Sequence, residues 1–326
     1  MLITRTPLRI SLGGGGTDLP SYYLRHGGVV VSAAIDKYIF IAINRTFTDD
    51  YFIKYSDMER TRSVAEIRHP IVREALSMHD VGPGLELVSL ADIPSGTGLG
   101  SSGSFTVGLL RALYAFKREH VAAGELAEEA CRIEIDRLGR SGGKQDQYIA
   151  SYGGITCFEF STDGHVQVSP LMISQATLHD LEEHMLLFFT GYSRDADTML
   201  TDQRQKTEAG DTAMIDNLAS IAGIGRRIKD ALERGDTLEF AALMHEHWQL
   251  KRRRTPGMST SATDGWHDLA MANGALGGKL VGAGAGGFLL FYTPEPARLR
   301  LALARESLSE VRFHFDFDGS TTVTRG

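Results

Sequence analysis

Short runs of alternating apolar and polar residues fill much of the first half of the chain, a pattern typical of β-strands. The runs read LITRTPLRISL, GGVVVSAAI, YIFIAINRT, YFIKYS and GLELVSLADI, and Gly, Pro, Asn or Asp separates them. Helical periodicity predicts a helix over residues 63–79, interrupted at Pro70, and another from about Gly103 to Arg118. Strands that follow one another without regular intervening helices favour an α+β fold.

The second half begins with two strand-like runs, ITCFEF and HMLLFFTGYS, and then becomes strongly helical. Amphipathic helices are predicted at residues 211–234 and 236–253, with Gly235 ending the first and Asp236 capping the second. A helix near residues 264–273, strands KLVGAG and GFLLFY, a last helix and a strand VRFHFDF follow. We therefore expect two domains, over residues 1–165 and 166–326.

Composition narrows the class of protein. The chain has 326 residues, of which 42% are hydrophobic and 23% charged, as in globular proteins with two cores. A net charge of −7 argues against a nucleic-acid partner. Cys131 and Cys157 lie in apolar segments without metal-ligand spacing, which indicates buried thiols and a reducing compartment. With no signal-peptide pattern and no apolar run near the ~20 residues that span a bilayer, we expect a cytoplasmic protein without a membrane partner.

The stretch IPSGTGLGSSGSFTVGLLRALYAF concentrates glycines and serines just before an apolar helix. Such a loop directs backbone N–H groups and the positive end of the helix dipole at one point, which favours a bound phosphate. A glycine-rich turn with N-capping serines is the alternative. Neither the Walker A pattern nor the dinucleotide fingerprint fits. The predicted nucleotide-binding residues are Gly96, Gly98, Leu99, Gly100, Ser101, Ser102 and Gly103.

A second glycine cluster, GGKLVGAGAGGFLLFY, lies between two predicted strands and contributes Gly284 to the same expected site. A loose hairpin turn would need fewer glycines. Two such loops in separate halves of the chain predict a ligand held between the domains.

Two acidic residues are candidates for chemistry. On a helix over residues 124–138, Glu134 shares the apolar face with Ala130 and Leu138, so its carboxylate points inward and needs a cation or donors. Asp146 follows in a predicted loop among glycines and amides, where a solvent-facing aspartate is the alternative. Mg²⁺ held by Glu134, a serine hydroxyl and phosphate oxygens would explain the first carboxylate. Asp146 would then orient or deprotonate an acceptor hydroxyl.

Three motifs now identify a resemblance. PSGTGLGSSGS is similar to the phosphate-binding motif of the GHMP small-molecule kinases, and TPLRISLGGGGTD and KLVGAGAGGF resemble their first and third motifs, in order across most of the chain. The resemblance implies a two-domain α+β kinase with the active site in the cleft between domains, using ATP and Mg²⁺. LGGGGTDLPSYY, GGKQDQYIASYGG and HEHWQLKRR most resemble bacterial sugar-1-kinases that act on D-glycero-D-manno-heptose 7-phosphate.

The resemblance also implies roles for single residues. Ser102 and Glu134 correspond to magnesium ligands, Asp146 to the catalytic aspartate, and Asp18 to the residue that holds sugar hydroxyls. Arg9 stands near the transferred phosphate, where several relatives have lysine. Ala283 and Ala285 depart from the third motif, and Gly103 stands where many relatives have alanine. Further residues expected at the sugar are Ser11, Gly16, Thr17 and Gly191.

A sugar that already carries a phosphate also needs a cationic pocket. Arg194, just after a predicted strand, and His245 and Arg252, on the apolar side of their helix, are the candidates. Lys251 and Arg253 are assigned instead to complementing the helix dipole at its C-terminus.

Other functions stay open. They are another sugar kinase of the fucose or hexose type, a decarboxylating relative, and a sensor that binds sugar and ATP without catalysis. A decarboxylase needs a substrate carboxylate, and the sugar-kinase-like GGGGTD argues against it. The joint presence of Ser102, Glu134 and Asp146 favours catalysis over sensing. The oligomeric state, including a homo-oligomer, is left open.

Overall fold

The computed structural model describes residues 1–191, 196–284 and 286–325. The fold is α+β, as predicted, and is built around two sheets. The strands of the first sheet are β1 (Leu2–Gly13), β2 (Gly28–Arg45), β3 (Tyr51–Lys54), β4 (Met58–Thr61), β5 (Leu85–Ala91), β6 (Ile155–Phe160), β7 (Val166–Pro170) and β12 (Thr321–Arg325). Over the described residues this sheet has eight strands in the order β12-β1-β2-β5-β3-β4, and β6 and β7 extend it from β2.

The second sheet is antiparallel and comes from the C-terminal half. Its strands are β8 (Met185–Gly191), β9 (Gly277–Val281), β10 (Gly287–Tyr292) and β11 (Ser309–Glu310). They lie in the order β11-β8-β10-β9 within the part of the chain that the structure describes. Because β7 and β12 both belong to the first sheet, the chain leaves that sheet after residue 170 and returns to it at its last strand.

Helices cover both sheets. They are α1 (Pro20–His26), α2 (Pro70–Met78), α3 (Ser101–Lys117), α4 (Ala123–Cys131), α5 (Gln145–Tyr152), α6 (Gln175–His184), α7 (Ala196–Glu208), α8 (Thr212–Arg234), α9 (Thr237–Arg254), α10 (Ser261–Ala272) and α11 (Pro296–Arg305). Pro70 is the first residue of α2, as a residue without a backbone N–H can be. Asp236 caps α9 by accepting from the backbone N–H of Glu239 at 2.9 Å, as predicted.

The predicted runs GGVVVSAAI and YIFIAINRT are parts of the single strand β2. The apparent break is a bulge, because Pro7 pairs with Tyr38 and the next residue, Leu8, pairs with Ile35. The bulge separates a half of β2 that pairs with β6 from a half that pairs with β5.

Two other predictions of secondary structure are wrong. Asp146 does not lie in a loop, because α5 begins one residue before it. The run VRFHFDF is not a strand; the bridge of Phe315 to Ile35 is the pairing recorded there. The helix predicted over residues 124–138 is α4 followed by a π-helical segment, Arg132–Arg137.

The main core lies between the first sheet and helices α3 and α8, where Leu8, Ile10, Ile35 and Ile41 are fully buried. A second cluster on the other sheet includes Trp248 of α9. Cys131 and Cys157 are buried, as predicted. Among the described helices, none is both long and apolar enough to cross a membrane.

Candidate active site

A cavity of about 800 Å³ lies where the loop before α3, the glycine run after β1, helix α9 and the turn after β9 meet. Its size suits a small-molecule site. The predicted site residues that line it are Arg9, Ser11, Gly16, Asp18, Gly96, Gly98, Gly100, Ser101, Ser102, Gly103, Glu134 and Asp146.

The two glycine-rich loops touch each other at one side of this cavity. A Cβ on Gly282 would lie 2.6 Å from the carbonyl oxygen of Gly98, and a Cβ on Gly98 would lie 2.9 Å from that of Val281. The sequence analysis attributed the many glycines of these loops to a bound ligand. Part of them is explained instead by the close packing of one loop backbone against the other. Gly284 faces Met258 and is absent from the cavity lining, and Ala285 lies outside the described residues.

Helix α3 presents an N-terminus without a side-chain cap to the cavity. Gly100, the N-cap residue, has the left-handed conformation at φ 78°. Because it is a glycine, it has no side chain that could cap the helix. The first-turn N–H groups of a 17-residue helix attract an anion when nothing else satisfies them. Ser101 Oγ is buried and has no partner among the described residues. Leu99 is fully buried instead, and its carbonyl accepts from the N–H of Arg9 at 3.0 Å.

Glu134 is buried, at 4% exposure, and meets donors from three directions. Its carboxylate accepts from the hydroxyl of Ser102, from Arg140 Nη1 at 2.9 Å and from Gln147 Nε2 at 2.9 Å. Arg140 also contacts the Ser102 hydroxyl. The π-helical segment places Glu134 here, since Leu138 N–H bonds to the carbonyl of Ile133 five residues before it.

Asp146 and Arg9 form an ion pair at the cavity wall. Arg9 Nε donates to Asp146 Oδ1 at 2.7 Å, and its Nη1 donates to the carbonyl of Gly98 at 2.6 Å. The pair thus connects the start of α5 to the glycine loop. Gly103 makes the approach of α3 to α5 possible, because a Cβ there would lie 2.7 Å from Asp146 Cβ.

Asp18 is held by backbone N–H groups at the end of the glycine run. Oδ1 accepts from Gly16 at 3.0 Å and Oδ2 from Gln145, the first residue of α5, at 3.1 Å. Burial raises the pKa of Asp18, and the nearby charge of Asp146 raises it further. Thr17 does not line the cavity; its hydroxyl holds the loop by donating to the carbonyl of Gly14 at 2.8 Å.

Lysine and arginine side chains that the sequence analysis did not assign to the site also line the cavity. Lys251, at 4% exposure, donates to the carbonyls of Leu280 and Gly282, at 2.9 and 2.5 Å. Lys279, at 2% exposure, lies 3.3 Å from the carbonyl of Leu12. Arg254 lies beside the glycine run, 3.5 Å from the carbonyl of Gly15. Assigning Lys251 to the helix dipole was therefore wrong, because its ammonium group is buried.

The cations chosen from the sequence lie elsewhere. Arg252 pairs with Asp264 at 3.3 Å, and His245 stacks on His267 with 5.5 Å between ring centroids; neither lines the cavity. Gly191 ends β8 opposite Gly287 and does not line it either. Arg194 lies outside the described residues.

A helical spacing could have identified the correct stripe. His247, Lys251 and Arg254 follow one another at intervals of four and three residues, so they share one face of α9. Trp248 points to the second sheet rather than to the cavity. Because the prediction used Trp248 to define the inward face of α9, it assigned the wrong side of the helix to the site.

Comparison with known proteins identifies the family. The family model for the GHMP kinases N terminal domain matches residues 64–154, and that for the GHMP kinases C terminal matches residues 228–309. D-glycero-alpha-D-manno-heptose 7-phosphate kinase of Campylobacter jejuni is 31% identical over 330 residues, which are 97% of each chain. The chain belongs to the GHMP kinase family. The resemblance seen in the three motifs is confirmed, and the protein is an ATP-dependent phosphotransferase with an alcohol as acceptor.

Solved structures agree with this GHMP kinase fold. A crystal structure described as a D-glycero-D-manno-heptose 1-phosphate kinase from Bacteroides thetaiotaomicron has a TM-score of 0.82 and 25% identity, with 100% of both chains covered. Galactokinase of Lactococcus lactis, complexed with galactose, has a TM-score of 0.80 and covers 98% of this chain and 94% of its own. At 17% identity, the second match shows the fold alone.

Proposed function

We propose that this GHMP kinase transfers the γ-phosphate of ATP to the anomeric hydroxyl of D-glycero-D-manno-heptose 7-phosphate, giving the 1,7-bisphosphate. The substrate is that named for the Campylobacter jejuni relative, whose likeness extends over 97% of both chains. A likeness of this length extends over nearly all the residues that line the cavity rather than over the nucleotide loop alone.

One observation carries the proposal: the start of α5 brings together the proposed base and the proposed sugar ligand. The N–H of Gln145 holds Asp18, and the next residue is Asp146, which faces the cavity. A sugar whose hydroxyls bind Asp18 would therefore present a neighbouring hydroxyl to Asp146. Ser11 and Gly16 line the same part of the cavity.

The nucleotide would lie on the other side of Asp146. The loop over residues 96–103 and the N-terminus of α3 suit the phosphates of ATP. Beyond them the cavity is lined by apolar residues such as Ile39, Leu90 and Ile93, which suits the base.

Ser102 and Glu134 fit the proposed magnesium site. A hydroxyl and a carboxylate are hard oxygen donors, and the ion would take its other ligands from phosphate and water. Among the described residues no cluster of three His, Cys, Asp or Glu side chains could hold a metal without such help. Arg140, whose side chain is 36% exposed, contacts both donors and would have to turn outward. When bound, the ion would neutralise charge on the transferred group.

Asp146 would accept the proton of the anomeric hydroxyl. The hydroxyl oxygen of the sugar would bond to the γ-phosphorus, and the bond between the γ-phosphorus and the bridging oxygen of the β-phosphate would break. Arg9 orients that carboxylate through Nε and is placed to stabilise charge on the transferred group. ADP and the sugar bisphosphate would be the products.

The test is a substrate panel. ADP release is measured with heptose 7-phosphate, the unphosphorylated heptose, fucose, galactose and mevalonate. We expect the highest kcat/KM with heptose 7-phosphate. A higher value for fucose or galactose would move the assignment to that sugar, and no turnover with any sugar would favour a sensor.

A further inference from the structure

We propose that Arg254 and Lys279, with His247 beside them, bind the phosphate group at the far end of the sugar substrate. This inference rests on the proposed function, because it assigns a place in the cavity to the phosphate that is not transferred. The name of the Campylobacter jejuni relative includes a phosphorylated sugar, but it identifies no residue that binds the phosphate.

The first argument is an excess of positive charge at the cavity wall, on the buried Lys279 and the half-buried Arg254. Arg9 is paired with Asp146, and Arg140 is paired with Glu134. Over residues 1–191, 196–284 and 286–325, no carboxylate forms an ion pair with Arg254 or Lys279, whose recorded partners are carbonyl oxygens and an imidazole. Buried cations are ordinarily paired, and an anionic ligand would supply the missing partner.

The second argument is a set of unused donors beside these cations. Lys279 Nζ lies 3.0 Å from His247 Nδ1, so the ring accepts there and carries its proton on Nε2. His247 is 2% exposed, and its Nε2 has no partner among the described residues. Burial and the charge of Lys279 lower the pKa of His247, which keeps the ring neutral. Arg254 Nε is likewise buried without a partner in the described part of the chain.

The third argument is the position of Arg254 relative to the proposed sugar ligand. Its Nη1 would be 2.5 Å from a Cβ on Gly16, whose N–H holds Asp18. Asp18 is also close enough to Arg254 and to Asp146 to interact electrostatically with both. A sugar bound at Asp18 would therefore present one hydroxyl to Asp146 and bring a phosphate carried elsewhere on the sugar to Arg254.

A structural role explains these cations poorly. Burial and the charges of Arg9 and Arg254 lower the pKa of Lys279 to about 7, and burial lowers that of Arg254 to about 10. Both charges therefore destabilise the substrate-free fold, whereas a bound phosphate would stabilise them.

The test compares Lys279→Met, Arg254→Met and the double variant with the parent enzyme. kcat/KM is measured for heptose 7-phosphate and for the unphosphorylated heptose. We expect each single change to raise KM for the phosphorylated sugar by roughly tenfold to a hundredfold, the effect of losing a charge-assisted hydrogen bond. KM for ATP and for the unphosphorylated sugar should change little, and Arg254→Lys should recover part of the loss.

Arg253→Met is the matched control. Arg253 is exposed in the same last turn of α9 and does not line this cavity, so its loss should leave the preference for the phosphorylated sugar intact. An unchanged preference in the double variant would overturn the proposal. A rise in KM for ATP instead of the sugar would overturn it too, since the cations would then serve the nucleotide.

A thermal-shift measurement with inorganic phosphate separates this proposal from the proposed function. We expect phosphate to raise Tm of the parent and of Arg253→Met but not of the double variant, even if the parent phosphorylates neither heptose. Lys279→Met without phosphate should melt no lower than the parent. Equal protection of the parent and the double variant, or a collapse of Lys279→Met alone, would contradict a phosphate site and favour a structural role.

Discussion

Asp146 and Arg9 illustrate how one ion pair fixes the proposed chemistry. Arg9 binds the carboxylate through Nε and the carbonyl of Gly98 through Nη1, so the base and the nucleotide loop keep a defined spacing. The sequence predicted both residues at the site, but not that they pair. Their separation of 137 positions carries no local signal of contact.

Asp146→Asn should lower kcat by ~10²–10⁴, the usual contribution of a general base. The amide oxygen can still accept from Arg9, so the fold and the affinity for ATP should change little. Steady-state kinetics and a direct ATP-binding measurement check this. Asp163→Asn, a change at an exposed aspartate in the turn between β6 and β7, is the control. Turnover at the parent rate would remove Asp146 from the proposed role.

Gly103→Ala should impair catalysis by displacing Asp146, without removing any catalytic group. The added methyl group would lie 2.7 Å from Asp146 Cβ, so α3 or α5 must shift. We expect a lower kcat and a loss of about 1–3 kcal/mol in the free energy of unfolding, as for other overpacked sites. Gly223→Ala, in α8 with open space around it, should instead raise stability. Parent-like kcat and Tm in Gly103→Ala would show that the two helices separate freely.

Helices show where sequence periodicity is sufficient and where it is not. An ideal helix predicted Glu134 inward, and it is inward, although the chain there is π-helical. The same reasoning failed on α9 because that helix is buried on two sides, with Trp248 on the second sheet and Lys251 on the cavity. Helix α5 was not predicted because two glycines shortly before it indicate a loop. The hydrogen bond from the N–H of Gln145, the first residue of the helix, to Asp18 has no signal in the local sequence.

Glu134→Gln should raise the Mg²⁺ concentration needed for half-maximal activity by at least ~10-fold, the size of effect seen even for outer partners of metal sites. The amide can still accept from Ser102 and Arg140, so Tm should stay close to that of the parent. A Mg²⁺ titration at saturating ATP and sugar measures the effect. Asp136→Asn, at an exposed position on the same π-helical segment, should titrate like the parent. If Glu134→Gln titrates identically, another residue holds the ion.

The cavity depends on parts of the chain that are distant in sequence. We propose that residues 1–165 and 166–326 act as its two sides, with the contact between Gly98 and Gly282 as one junction. The two halves are also joined through the first sheet, because β12 pairs with β1. Local patterns predicted the strands near β1 but gave no sign of β12, since its partner lies more than 300 residues away and its sequence TTVTR is short and polar.

The proposed phosphate site should make the stability of the whole molecule depend on pH in a defined direction. Lys279 has a folded pKa of about 7 and an unfolded value near 10.5, so between these values the unfolded chain binds more protons at this residue. Its contribution then makes the substrate-free enzyme more stable as pH rises, by at most about 1.4 kcal/mol per pH unit. Lys279→Met removes that contribution, so its Tm advantage over the parent should be largest at pH 6–7 and shrink towards pH 9. The charged and titratable neighbours of Lys279 are Arg9, Arg254, Lys251 and His247. They are present in both proteins, so their own effects on the pH dependence of Tm cancel in the comparison, apart from their coupling to Lys279. Melting curves of both proteins from pH 6 to 9, without ligand, measure the difference. A difference in Tm that is constant over this range would mean that Lys279 keeps one charge state and is not destabilised in the empty cavity.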